Sequence, residues 1–458
     1  MRILMCVPDR LRDLEGHALV AFHLKERHGH DVRLVGPANL ESGFFEYAPD
    51  ALILDYLGWQ DRVSMAAIAR KFGVPVLVLP TAGLYQYEEL ELRRAGKLLQ
   101  ANRFIDCYLA WGEESRRNLV KAKMLDDAQI TVVGCPRFDF YAPPYLSLME
   151  DRATLLSRFG APVSNAPVVL WTTNTCFAHG PQREQGRSQV RHGRRPQRDF
   201  EEEMEDNRTQ FAAQSASILE VARQHPEWTF LVKIHPFEAV EPYRDLAEKV
   251  PNLYVMKDVP VRNVLYHADV VIQRGCTTAT EAWMLGKPVI EIEIGEFHHA
   301  LRADYAAGNE PVTNVPDLES AIRRYLAGAS VPEELRAARE RFIAEVYRDV
   351  SGKASERSAD TIDAVIAVQS LSEPQRSERE ARIREEQRAR ARRSDERMIN
   401  RVKDVLGVDR DRSLRLWWRN VRDSWRKPSK PHREIDARDL YRQFQEATAR
   451  VRAERPTR

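Results

Sequence analysis

The residues with the clearest chemical potential lie between Asp269 and Ile294, in DVVIQRGCTTATEAWMLGKPVIEIEI. This stretch reads as a buried strand, a tight Gly275-Cys276 turn, a helix and a second apolar strand launched after Gly286-Lys287-Pro288. Thr277 and Thr278 fall at the helix start, where their hydroxyls and the unsatisfied N–H groups behind them can hold a phosphate oxygen. An ordinary, well-capped strand–helix–strand unit fits the same letters.

Three further clusters carry compatible chemistry. A strand from Thr229 to Ile234 delivers Lys233, His235, Pro236 and Glu238, and the proline ends the strand. A Lys and a His at a strand's carboxyl end can bond phosphate or stabilise a leaving group. The apolar run Val168 to Trp171 ends in Thr172-Thr173-Asn174-Thr175, a small polar rim suited to phosphate or sugar. Those same side chains can instead bond their own backbone. In Gly134-Cys135-Pro136-Arg137-Phe138-Asp139, Arg137 either pins an anion or pairs with Asp139 to fix the turn. The loop after the first strand holds Asp9, Arg10, Arg12, Asp13, Glu15 and His17. A carboxylate or imidazole there can take a proton from an acceptor hydroxyl, and a solvated polar loop is the plainer account.

The elements that must position these groups alternate between strand and helix. Apolar runs at Ile3–Val7, Val32–Val35, Ala51–Leu54, Val74–Leu79, Cys107–Ala110 and Ile130–Val133 are separated by helical stretches. That pattern implies an α/β fold with parallel sheets covered on both faces. No GxGxxG follows the first strand, which argues against a dinucleotide site there. A first domain is expected over residues 1–145, with 141–166 as the linker and a short helix, and a second over 164–350. The Gly/Arg/Gln-rich stretch 179–199 reads as a mobile insertion.

Five scattered cysteines without CxxC spacing argue for a reducing compartment and against a zinc knuckle. No apolar run approaches the ~20 residues of a membrane span, and a cytoplasmic protein is expected. Charge is uneven: residues 371–458 carry 26 Lys and Arg against 16 Asp and Glu, a net of +10, while the rest carries −8. A helix at 351–370 is expected to pack back on the first domain. Residues 371–401 read as a solvated charged helix or disordered arm, the start of a charged helical tail over 371–458. Within 413–427, Leu414, Trp417, Trp418, Val421 and Trp425 lie beside arginines, fitting an anionic membrane surface or a docked helix. No nucleic-acid reader motif is present and no such partner is expected.

Four segments in order, Gly134–Asp139, Thr172–Phe177, Lys233–Glu238 and Thr277–Ala282 with Gly286-Lys287-Pro288, resemble bacterial surface carbohydrate biosynthesis proteins of the GT-B glycosyltransferase type. The likeness covers about residues 1–370. Its His-Pro pair is similar to that of Kdo transferases, bacterial sialyltransferases and glycerol-phosphate teichoic acid polymerases. Cys135 stands where the family commonly has asparagine, and Ile234 where arginine is frequent.

The resemblance implies two Rossmann-like domains facing a cleft, with the donor nucleotide on the C-terminal one and the acceptor on the N-terminal one. It implies transfer of a sugar from a CMP-, CDP- or UDP-linked donor to a surface polysaccharide or its lipid-linked precursor. Lys233, His235, Asn174, Gly275, Thr277, Thr278 and Arg137 would hold the donor, Glu281 would bond the ribose, and His235 would stabilise the departing nucleotide. Asp13, Glu15 or His17 would serve as base in an inverting enzyme, and a retaining one would need no such base. No metal or bound cofactor is required, since helix dipoles and cationic side chains can neutralise the leaving group. Two alternatives remain: a UDP-N-acetylhexosamine 2-epimerase, and a non-catalytic scaffold held at the membrane by its tail.

Overall fold

The computed structural model describes residues 1–56, 60–81, 101–176, 178–179, 187, 190, 197–295, 306–369, 371–406 and 436–454. The chain forms two units, Met1–Asp139 with Val346–Arg458, and Phe140–Glu345.

In the first unit the apolar runs become strands β1 (Arg2–Cys6), β2 (Asp31–Val35), β3 (Ala51–Leu54), β4 (Val76–Val78), β5 (Cys107–Ala110) and β6 (Ile130–Val132). They form one parallel sheet in the order β2-β1-β3-β4-β5-β6. The chain leaves β1 toward β2 and returns on the other side at β3. Such a reversal opens a crevice at the strands' carboxyl ends. The helix Leu14–His28 follows the β1 loop.

The second unit repeats the scheme. Its strands are β7 (Val168–Thr172), β8 (Thr229–Lys233), β9 (Leu253–Met256), β10 (Val270–Gln273), β11 (Val289–Ile292) and β12 (Glu310–Val312). The parallel order is β12-β11-β10-β7-β8-β9, so the reversal falls between β7 and β10. Every residue of β7, β8, β10 and β11 is buried, as expected for strands covered on both faces.

Three expectations change. Residues 141–166 hold the expected short helix, Arg152–Arg158, but are a packed part of the second unit rather than a free linker: Tyr141, Tyr145, Leu155 and Leu156 are buried. Proline spacing suggested a linker, but the aromatic side chains between the prolines have surface to bury. The turn at Arg137 is not fixed by an Arg137–Asp139 pair. The buried Asp139 carboxylate accepts from the N–H groups of Ala354 (2.9 Å) and Ser355 (2.7 Å) and from the Ser355 hydroxyl, anchoring the helix Ala354–Val368.

The third change is in the tail. Residues Glu373–Leu406 form a helix docked on the first unit rather than a solvated arm. Its Ile383 is fully buried in the first unit's core cluster, a contribution of about 1.5–3 kcal/mol. Arg379 meets Asp50, both buried, and Arg2 meets Glu380 at 2.9 Å. A second helix, Arg438–Glu454, covers Leu14–His28 through the fully buried Phe444, whose ring lies 5.7 Å from that of Phe22. Charged side chains with apolar stems let these two helices cover packed helical surface that a hydropathy count overlooks. The stretch 413–427 and most of 179–199 lie outside the described residues, although Gln197–Asp199 begin the helix Gln197–Gln224. Among the described residues no helix is long and apolar enough to cross a membrane.

Candidate functional site

In the second unit, the reversal between β7 and β10 brings three strand-end loops together. The Asn174 amide donates to the Gly275 carbonyl at 3.1 Å, joining the loops after β7 and β10. The Thr278 hydroxyl lies 3.3 Å from that of Thr172, and donates to the Cys276 sulfur at 2.8 Å. On the other side of β7, the His235 N–H donates to the Thr173 hydroxyl oxygen at 3.0 Å. Asn174, Gly275, Thr278 and His235 therefore share one rim.

The imidazole of His235 is held in a defined tautomer. Its Nδ1 accepts from the Phe237 N–H at 3.2 Å and lies 3.1 Å from the Cys176 sulfur. Burial pushes the Cys176 thiol up, so it remains an S–H donor. With Nδ1 accepting, the neutral ring carries its proton on Nε2, the form that donates to an oxyanion.

Lys233 stands opposite Thr172 in the β7–β8 register and is buried. Its ammonium donates to the Ile234 carbonyl at 2.8 Å, and burial lowers its pKa. Thr277 caps the seven-residue helix Thr278–Met284 by position only, since its side chain makes no cap bond. Glu281 turns inward: it is 7% exposed and accepts from the Tyr141 hydroxyl.

Two buried carboxylates that sequence reasoning did not assign hold this rim in shape. Glu238, 1% exposed, accepts from the Thr173 hydroxyl (2.7 Å), the Thr175 N–H and the Tyr243 hydroxyl. Burial raises its pKa, against those donors. Glu291 sits beside Gln273 in the β10–β11 register. It accepts from the Gln273 amide, the Gly275 N–H (2.7 Å) and the Asn309 amide (2.9 Å), and burial pushes it up to about 7. The Gly275 turn, at φ +56°, is thereby tied to β11. The available signal was a Glu inside the apolar run Val289–Ile292, where both neighbours are core residues.

In the first unit the candidates of the β1 loop also gather. Asp13, 3% exposed, is held by Arg12 through two bonds of 2.8 and 2.9 Å, and Arg137 approaches it to 3.6 Å. Gly16 packs against the Arg137 backbone so closely that a Cβ there would meet its nitrogen at 2.9 Å. His17 Nδ1 bonds the Asp13 carbonyl at 3.0 Å, while its buried Nε2 has no partner. Burial lowers the His17 pKa and holds it neutral. Glu15 is half-buried beside them. Asp9 shapes the loop by accepting from the N–H groups of Leu11 and Arg12, both at 2.8 Å. Among the described residues no group of His, Cys, Asp or Glu could hold a metal ion.

No family model matches the chain, and no curated protein matches it in sequence. Solved structures do match its fold. The UDP-GlcNAc 2-epimerase of Neisseria meningitidis, bound to UDP-GlcNAc, aligns at 15% identity over 79% of this chain and 99% of that one, with a TM-score of 0.52. The UDP-GlcNAc 2-epimerase of Methanocaldococcus jannaschii aligns at 15% identity over 80% of this chain and 100% of that one, at 0.53. The wall teichoic acid polymerase TagF, in a structure with CDPG, aligns at 10% identity over 81% of this chain and 89% of that one, at 0.51. Two parallel six-stranded sheets with flanking helices define the GT-B two-domain α/β fold, and this chain has it.

Proposed function

We propose that this chain is a nucleotide-sugar enzyme that transfers a sugar from a CMP-, CDP- or UDP-linked donor to a surface glycan or its lipid-linked precursor. One observation carries the reading: Asn174, Thr278 and His235 are fixed on one rim at the β7–β10 reversal, with the imidazole set to donate from Nε2. An anionic phosphate fits that rim, and the buried Lys233 adds positive potential beneath it. His235 stabilises charge on the departing nucleotide. His17 is the base proposed for the acceptor hydroxyl of an inverting transfer: burial favours its neutral form, and its Nδ1–H donates to the Asp13 carbonyl, leaving the Nε2 lone pair as the acceptor of a proton.

A second reading has its own support, because epimerases acting on UDP-GlcNAc share the fold. Both readings require a bound nucleotide, and they part at the acceptor. Thermal midpoints measured separately with CMP, CDP and UDP test the shared step. A ligand at a hundred times its Kd adds about 2.7 kcal/mol and raises the midpoint. Incubation with UDP-GlcNAc alone then separates the readings, since epimerised product without acceptor supports the epimerase. His235→Ala is expected to abolish turnover while the midpoint without ligand holds. A midpoint unmoved by all three nucleotides would refute both readings in favour of a non-catalytic scaffold.

A further inference from the structure

Beyond the phosphate rim, the corner after β8 presents one side chain that the fold does not bury. Phe237 is 50% exposed. Of the large apolar side chains exposed among the described residues, it alone stands at the carboxyl edge of the second sheet. A single exposed aromatic on a loose loop would mean little, but this corner is fixed on all sides. Pro236 limits it, the Phe237 N–H is bonded to His235 Nδ1, and the Glu238 N–H donates to the His235 carbonyl at 3.0 Å. The Glu238 carboxylate is held from the loop after β7, and its carbonyl accepts from Lys257 Nζ at 2.7 Å. The neighbouring loop after β9 carries Asp258 at φ +56°, a strained position for a non-glycine residue.

The phenyl ring is thus offered to solvent by a rigid mount, its centroid 5.4 Å from that of His235 and its plane tilted by 48°. We propose that the face of Phe237 stacks on the nucleobase of the donor. The inference rests on the nucleotide-sugar reading and deepens it. In this arrangement the phosphate lies on the His235 side and the base on the Phe237 side, with the ribose between them. Stacking uses the π-face that every base has, so Phe237 contributes affinity without choosing between cytosine and uracil.

The test is calorimetric binding of UDP, CDP and CMP to the full-length protein and to the Phe237→Ala and Phe237→Trp variants. Base–aromatic stacking energies predict that Phe237→Ala weakens each nucleotide by roughly five- to hundredfold, by similar factors for both bases. Phe237→Trp restores binding to within about threefold of wild type or tightens it, because a larger π-face is kept. Since Phe237 is exposed, the midpoint of both variants without ligand stays at the wild-type value. Binding of UDP to Phe237→Ala within twofold of wild type, or failure of Phe237→Trp to restore it, overturns the stacking role and leaves the nucleotide-sugar reading standing. Wild-type protein that binds none of the three nucleotides overturns that reading itself, before any variant is made.

Discussion

Replacing Glu238 by alanine should be among the most damaging single changes in the second unit. Its carboxylate satisfies three donors in a region where Thr173 and Thr175 are 2% exposed and Tyr243 is 1% exposed. A buried donor left unpaired costs about 1–3 kcal/mol. The Thr175 and Tyr243 hydroxyls, 3.2 Å apart, can satisfy one another in part, so two of the three penalties should persist, about 2–6 kcal/mol in all. Glu238→Gln is the informative control. The amide oxygen can keep the Thr173 and Tyr243 hydroxyls, but the NH2 then faces the Thr175 N–H, donor against donor, at a cost of about 1–2 kcal/mol. Urea unfolding monitored by far-UV circular dichroism gives both values. The same experiments carry a functional readout, because the Thr173 hydroxyl that donates to Glu238 also accepts from the His235 N–H. Nucleotide affinity should fall with stability in the alanine variant and fall less in the glutamine variant. Burial raises the folded-state pKa of Glu238, so its contribution is complete below about 4.5 and declines as pH rises through the folded value. Glu238→Gln should remove that decline. A stability change below about 0.5 kcal/mol for Glu238→Ala would refute the reasoning, since surface-like behaviour is incompatible with a carboxylate that anchors three buried donors.

Two further outcomes follow from the first unit. Arg379→Ala breaks the buried pair with Asp50, but the Arg2 N–H (2.8 Å) and Arg376 (3.5 Å) still face that carboxylate. The loss should therefore be about 2 kcal/mol rather than the 3–5 of a fully orphaned charge, and limited proteolysis should show earlier cleavage within Glu373–Leu406. His23 is buried and lowered to about 4 by desolvation, so it stays neutral in the fold while the unfolded chain takes up a proton near 6.5. That stability is present above about 6.5 and is lost on acidification, by about 2 kcal/mol at pH 5. Unfolding of His23→Gln across pH 5–7.5 should lack this component, and an unchanged pH slope would contradict it.

The sheets were largely legible because their strands are covered on both faces and so appear as apolar runs with turn residues between them. Val289–Ile292 and Val168–Thr172 are of this kind. β12 was missed: it has three residues, Glu310–Val312, with a proline, which only an edge position tolerates. The helix Val315–Leu326 has a signal in the letters, since Asn314 caps it by accepting from the Asp317 N–H. The rim residues were legible as types and spacings, but what holds them was not. Glu238 and Glu291 carry the same letter as a solvated carboxylate; the β10–β11 register shows what Glu291 meets, and only the folding of the loop after β7 against the turn after β8 shows what Glu238 bonds. The docking of Glu373–Leu406 was hidden for a related reason. It depends on arginines meeting Asp50 and Glu41, contacts distant in sequence that no helical periodicity reports.

The second unit is one unbroken stretch, whereas the first is assembled from both flanks of it and tied together where Asp139 meets Ser355. During synthesis, then, the unit that starts later finishes earlier. Residues 140–345 can close around their own sheet while the first sheet still awaits Ile383, and the helix Leu14–His28 still awaits Phe444. At ordinary elongation rates that interval lasts on the order of ten seconds. For that time the side of Phe22 that Phe444 covers stands open on the nascent chain, a natural point of engagement for chaperones.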